Sequence, residues 1–285
     1  MSGDPSQTHA RAGAPRRGLL HGWRAGAVAA VVVLALAVLL VRSVHTSSQY
    51  ARLLRTEPDS IAQDVQLADF AVDEAKPLFA RHCASCHGAD LKGDRVRGVP
   101  DLTDSDWLYG TGRTAEIEKT ILYGIRSGHN RGWNLADMPA FGEARPYRRY
   151  KVNPLAPQDI RDVIAYLRLL EGQKVVDQAA VARGAKIYAD TGQCYDCHAN
   201  DGGGDSAIGA PNLLDKIWLY GDGSDASVYK SIAHGHQGVM PAWTGRLKPG
   251  EIRALSVYVY TASHPKTPAR TQAAAASPKQ EGKSS

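Results

Sequence analysis

Two cysteine–histidine motifs restrict this 285-residue chain more than any other feature. Cys83-Ala-Ser-Cys86-His87 and Cys194-Tyr-Asp-Cys197-His198 stand 111 residues apart and use all four cysteines. The 111-residue offset continues downstream. Pro100-Asp-Leu102 matches Pro211-Asn-Leu213, Trp107-Leu-Tyr-Gly110 matches Trp218-Leu-Tyr-Gly221, and Ile121 and Gly124 match Ile232 and Gly235. It falls to 102 at Met138-Pro139 and Met240-Pro241. It falls again to 92 at Leu155-x-Pro-x-x-Ile160-Arg161 and Leu247-x-Pro-x-x-Ile252-Arg253. The chain therefore holds two copies of one unit, the first with two insertions of about ten residues each.

Cys-x-x-Cys-His is the attachment sequence of c-type haem. Two thiols three residues apart on a helical turn reach the two vinyl groups on one porphyrin edge, and the next histidine presents its imidazole to the iron. A zinc site needs two further ligands at comparable spacing. A thioredoxin-like pair needs a βαβ setting, which the sequence does not offer. Two motifs in repeat predict two covalently bound haem c groups. Each copy also has only about 90–100 residues, too few to bury a large core of its own; a haem supplies the missing apolar volume.

Besides the initiator, the methionines are Met138 and Met240, each before a proline at equivalent repeat positions. Core filler would be scattered. These two are expected to be the sixth ligands, one per haem, opposite His87 and His198. A thioether favours ferrous iron, and a six-coordinate iron has no vacant position for substrate, which points to electron transfer rather than catalysis. His129 and His236 are the competing ligands. Carbonyls at Pro100 and Pro211 are candidate acceptors from the haem histidines, with simple loop stiffening by the prolines as the alternative. Trp107, Tyr109, Trp218, Tyr220 and Arg126 are candidate partners of haem propionates, with ordinary core or loop roles as the alternative.

Ala25 to Val41 is an uncharged, Val/Leu/Ala-rich run of 17 residues bracketed by Arg24 and Arg42. At about 1.5 Å per residue it covers roughly 26 Å, close to a bilayer core of about 30 Å. No small-x-small cleavage site follows it, so an uncleaved anchor is expected in place of a removed signal. Arg11, Arg16, Arg17 and Arg24 against Asp4 put the N-terminus in the cytoplasm and the rest of the chain in the periplasm. The net charge of +5 is not organised as a basic and aromatic nucleic-acid surface.

The predicted organisation is a disordered segment over 1–24, a transmembrane helix over 25–42, a tether over 43–70, domains over 71–173 and 174–264, and a disordered tail over 265–285. Helices are expected over 157–171 and 249–262, where apolar residues recur at helical spacing behind a proline, and over 74–85 and 178–190. The fold class is all-α, an N-terminal transmembrane helix followed by two tandem domains.

Over 71–264 these motifs resemble class I cytochromes c. Gly184-x-x-x-Tyr188 is similar to that family's contact between N-terminal and C-terminal helices, with Ala75 and Phe79 in the first copy. The stretch from Ile125 to Met138-Pro-Ala-Phe141, and Pro211-Asn-Leu213 through Trp218-Leu-Tyr-Gly221, more specifically resemble the dihaem subunit III of cbb3-type cytochrome c oxidases. That resemblance implies axial ligands at His87, Met138, His198 and Met240, and electron transfer from a periplasmic donor to oxidase subunits, with the catalytic site on another chain. Residues 1–70 lack the acidic, Trp/Pro-rich segment usual around that family's membrane helix. The alternatives are a carrier for a periplasmic dehydrogenase and a dihaem peroxidase, which would need an open iron.

Overall fold

A computed structural model describes residues 19–147 and 151–265, with side chains from Gly26 onward. The terminal segments expected to be disordered lie outside these residues, apart from 19–24 and 265. The chain divides into two compact units, Met1–Tyr50 and Ala51–Ser285.

The first unit is built on helix α1, Leu19–Arg55. From Gly26 its mean hydropathy reaches 2.7, and its apolar side chains, such as Val31, Leu34 and Leu40, are exposed. A helix of this length crosses a hydrocarbon core with turns to spare. The helix continues through the first part of the expected tether.

The second unit is helical, with isolated β-bridges in place of strands among the described residues. A 3₁₀ turn, Pro58–Gln63, leads into α2, Val65–His82. Asp64 caps α2, its carboxylate accepting from the Leu67 N–H at 3.1 Å, the usual role of an aspartate at this position. The first copy then has α3, Ala84–His87, α4, Thr114–Tyr123, and α5, Pro157–Leu170. The second has α6, Gln178–Lys186, continued by a π turn over Ile187–Thr191, then α7, Tyr195–His198, α8, Asp225–His234, and α9, Pro249–Ser263. Proline at the start of α5 and α9 removes an N–H that would have had no acceptor.

The two copies exchange their last helices. α2 and α4 of the first copy pack on α9 of the second, while α5 of the first packs on α6 and α8 of the second. Phe79 on α2 meets Tyr258 on α9 edge-on at 5.4 Å, and Tyr188 after α6 meets Tyr166 on α5 in the same way at 5.4 Å. At Gly184 a Cβ would overlap the Asp162 carbonyl oxygen of α5, so glycine sets how closely α6 and α5 cross. The expected contact of N-terminal with C-terminal helix is thus present twice, each time between copies.

Polar contacts follow the same crossing. Arg253 on α9 donates to Glu118 on α4 at 2.6 Å and to the Leu53 and Thr56 carbonyls at 3.2 and 2.9 Å. Arg183 on α6 donates to both carboxylate oxygens of buried Asp162 on α5, at 2.6 and 3.0 Å.

Candidate haem sites

Each cysteine motif closes a helix with one short turn. Cys83 N–H donates to Phe79 O at 2.8 Å and His87 N–H to Cys83 O at 2.9 Å; Cys194 N–H donates to Tyr188 O and His198 N–H to Cys194 O, both at 2.9 Å. Side chains three apart on such a turn share a face, so both thiols of a pair point the same way. All four cysteines are free. Burial pushes the Cys83 thiol up to about 11 and the Cys194 thiol up to about 12, which keeps them protonated at neutral pH.

The two haem histidines are alike in outline and different in detail. His198 Nδ1 lies 3.0 Å from Pro211 O. With its proton on Nδ1 the ring donates to this carbonyl and leaves the Nε2 lone pair for a metal. His87 Nδ1 is buried without a hydrogen bond, although the Pro100 carbonyl faces the same ring and works to hold its proton. Burial lowers the basicity of both imidazoles, and the facing carbonyl raises it in part. Neutral rings with one free nitrogen, beside paired thiols on one face, fit a covalently attached haem.

The methionines are not where copy order alone puts them. Met138 N–H donates to His236 O, and His236 N–H to Met138 O, both at 3.1 Å. Met138 borders an apolar cluster built from both copies, Ile160 and Leu167 of the first and Tyr188 and Ile232 of the second, which Cys194 and Trp218 also border. Met240 makes the reciprocal pair with Ile125 of the first copy. The segments that follow keep the pattern: Phe141 N–H donates to Ile232 O at 3.0 Å, and Trp243 N–H to Ile121 O at 3.1 Å. The backbone of each copy's methionine thus bridges to the other copy, whereas order along the chain expects Met138 beside His87 and Met240 beside His198.

The two competing histidines differ in their surroundings. His129 stacks on Tyr123 at 4.8 Å and its Nδ1 accepts from the Arg131 N–H at 3.1 Å. His236 stacks on Tyr220 at 3.4 Å; its Nε2 is buried and unpaired, and burial pulls its pKa down to about 4.

The aromatic candidates also sit across the boundary between copies. A Cβ at Gly98 would occupy the Tyr220 ring, and one at Gly209 would occupy the Tyr109 ring. Both glycines have positive φ, +67° and +77°, which glycine alone adopts at no steric cost. Gly110 N–H donates to Ser206 O, and Gly221 N–H to Arg95 O, both at 3.1 Å. Trp107 and Trp218 lie over Gly112 and Gly223 within their own copies. Sequence reasoning identified these aromatics but not their exchange. The short joint between α5 and α6 was the available signal, because helices linked by few residues pack antiparallel.

Comparison with known proteins agrees with this division. The family model described as Cytochrome c matches residues 72–171, and that described as Cytochrome C oxidase, cbb3-type, subunit III matches 179–259. The chain is 41% identical over 201 residues to a "Cbb3-type cytochrome c oxidase subunit FixP" of Bradyrhizobium sp. (strain ORS 278), covering 70% of this chain and 64% of that one. It is 41% identical over 211 residues to the FixP subunit of Azorhizobium caulinodans, covering 74% and 66%. To a "Cbb3-type cytochrome c oxidase subunit CcoP" of Cereibacter sphaeroides it is 37% identical over 209 residues, covering 73% and 67%. The chain thus spans about two thirds of the length of these relatives.

Proposed function

Because the chain belongs to the subunit III family of cbb3-type cytochrome c oxidases, we propose that it is a membrane-anchored dihaem subunit that passes electrons from a periplasmic donor to the oxidase. Each cysteine motif carries one covalently bound haem c. The group supplies a one-electron ferric/ferrous couple when bound. Cys83 and Cys86 would hold one haem, with His87 and Met240 as its protein ligands. Cys194 and Cys197 would hold the other, with His198 and Met138.

The observation that supports this reading is that each methionine's backbone bridges to the other copy, with Met138 bordering the apolar cluster that Cys194 also borders. A histidine and a methionine on each haem iron would leave no position for a substrate, and the chain would act by electron transfer. The peroxidase alternative requires such a position. Catalysis of oxygen reduction then belongs to a partner chain in the membrane.

Helix α1 supplies the anchor. The arginines before it hold the N-terminus in the cytoplasm, which sets the haem units in the periplasm, facing soluble donors. Gentle extraction from membranes tests the assignment. Co-purification with high-spin haem and copper is the expected result; co-purification with a dehydrogenase and no copper would overturn it in favour of the alternative carrier role.

A further inference from the structure

We propose that Arg126 is a shared positioning residue which fastens both methionine loops, and through them both sixth ligands, from one guanidinium. The proposal rests on the reading of Met138 and Met240 as iron ligands.

Arg126 Nε donates to Gly238 O at 2.6 Å, and Nη1 donates to Ala136 O at 2.9 Å. Ala136 and Gly238 each stand two residues before a methionine, so these carbonyls are equivalent in the two copies. One side chain from one copy therefore clamps the same point of both loops. Nη1 also meets Tyr109 Oη at 3.0 Å, and the Tyr109 ring lies against Gly209 of the second haem loop. Three loop segments thus meet at a single planar group. Arginine suits this role because its donors are fixed in one plane.

Two further observations set Arg126 apart from a loop cation. Its φ is +48°, in the left-handed region that a non-glycine residue adopts only when its surroundings hold it there. Its repeat equivalent is Gln237, so the clamp exists once. Among the described residues its hydrogen bonds go to neutral oxygens, and no carboxylate pairs with it. Its charge also reaches the Tyr109 and Tyr220 phenols, favouring their ionised forms against the burial that opposes ionisation.

Loss of this group would loosen both iron–sulfur contacts together. Arg126→Gln removes the charge and the fork. Arg126→Gly removes them while relieving the backbone. Arg126→Lys keeps the charge but cannot serve both carbonyls from one plane. The experiment is optical redox titration of the purified dihaem protein, together with the far-red sulfur-to-iron band of its oxidised form. In the Gln and Gly variants both midpoint potentials are expected to fall by at least a tenfold shift in the reduced-to-oxidised ratio, equivalent to 59 mV for one electron, and the band to weaken for both haems. Arg126→Lys should restore part of each. A change confined to one haem, or an Arg126→Gly protein with unchanged potentials, would overturn the proposal. If the Gln and Gly variants fail to take up both haems, Arg126→Lys decides: partial weakening at both sites supports the clamp, and an unchanged spectrum overturns it. Met138→His and Met240→His are measured alongside. If they leave the band intact, the ligand reading itself has failed. If they abolish it while the Arg126 variants behave as the parent, only the clamp has.

Discussion

Ile125 and Met240 exchange backbone hydrogen bonds in both directions, each at 2.9 Å, although 115 residues of chain separate them. The pair is the narrow bridge by which the second copy's methionine segment joins the first copy. Met138 and His236 form its counterpart.

The crossed ligation has a direct test. In a chain with Cys83→Ala and Cys86→Ala, the remaining haem is held by Cys194, Cys197 and His198. Met138→His should then abolish the sulfur-to-iron band, and Met240→His should leave it. In the intact protein, magnetic cross-relaxation should link the Met138 side chain to the haem bonded to Cys194. Contact with the Cys83 haem instead would refute the crossing.

The two helix crossings differ by a single carbon, and mutation should expose the difference. A Cβ at Gly184 overlaps the backbone of Asp162 and lies 3.0 Å from Tyr166 Cβ. Gly184→Ala is expected to cost about 1–3 kcal/mol by overpacking. Ala75, buried at the matching crossing, already accommodates its methyl; Ala75→Gly should cost about 1 kcal/mol, the ordinary helix penalty of glycine. Denaturant midpoints of the two variants measure both values.

Asp162 makes the α5–α6 pairing dependent on acid. Its hydrogen bonds from Arg183 hold the carboxyl below the usual range; burial opposes this, and Gln158 adds to it. A depressed native pKa gives stability that is fully present above the unfolded value of about 3.9 and is lost as pH falls through the native one. Asp162→Asn should lower stability by about 1–3 kcal/mol at neutral pH and flatten this part of the acid dependence. Parallel slopes for the two proteins between about pH 5 and pH 3 would exclude the mechanism.

Replacement of residues 1–42 by a cleaved secretion signal should move the protein from the membrane fraction to the soluble one, with both haem spectra intact. Leu53 and the Arg52–Asp64 ion pair belong to the haem-bearing unit, and the replacement spares them. A truncated chain that still sediments with membranes would show a second attachment.

Much of this architecture can be read directly in the residues. The cysteine motifs, the repeat offset and the proline-led helices at 157 and 249 are local patterns, and local chemistry fixes them. The methionines were identifiable because every non-initiator methionine sits in the repeat. What the repeat could not supply is pairing. Phe79 can meet Tyr166 or Tyr258 with the same chemistry, since both stand at the same repeat position, and identical faces leave no mark of which copy they will choose. Arg126 was recognisable as a cation near the site, but its clamp needs two carbonyls brought together from loops 102 residues apart.

The helix exchange also sets an order of assembly. A ribosome completes Cys83-Ala-Ser-Cys86-His87 early, yet the helix that covers α2, which leads into that motif, is α9 at 249–263, nearly the last of the folded unit. The helix behind the first motif is the last to be covered. Until α9 arrives, α2 presents Phe79 and its alanine face without cover, and contacts of such long sequence separation form slowly. A chain cut between α5 and the end of α9 would therefore lose the cover of α2 along with part of the second copy, so that the two copies mature together.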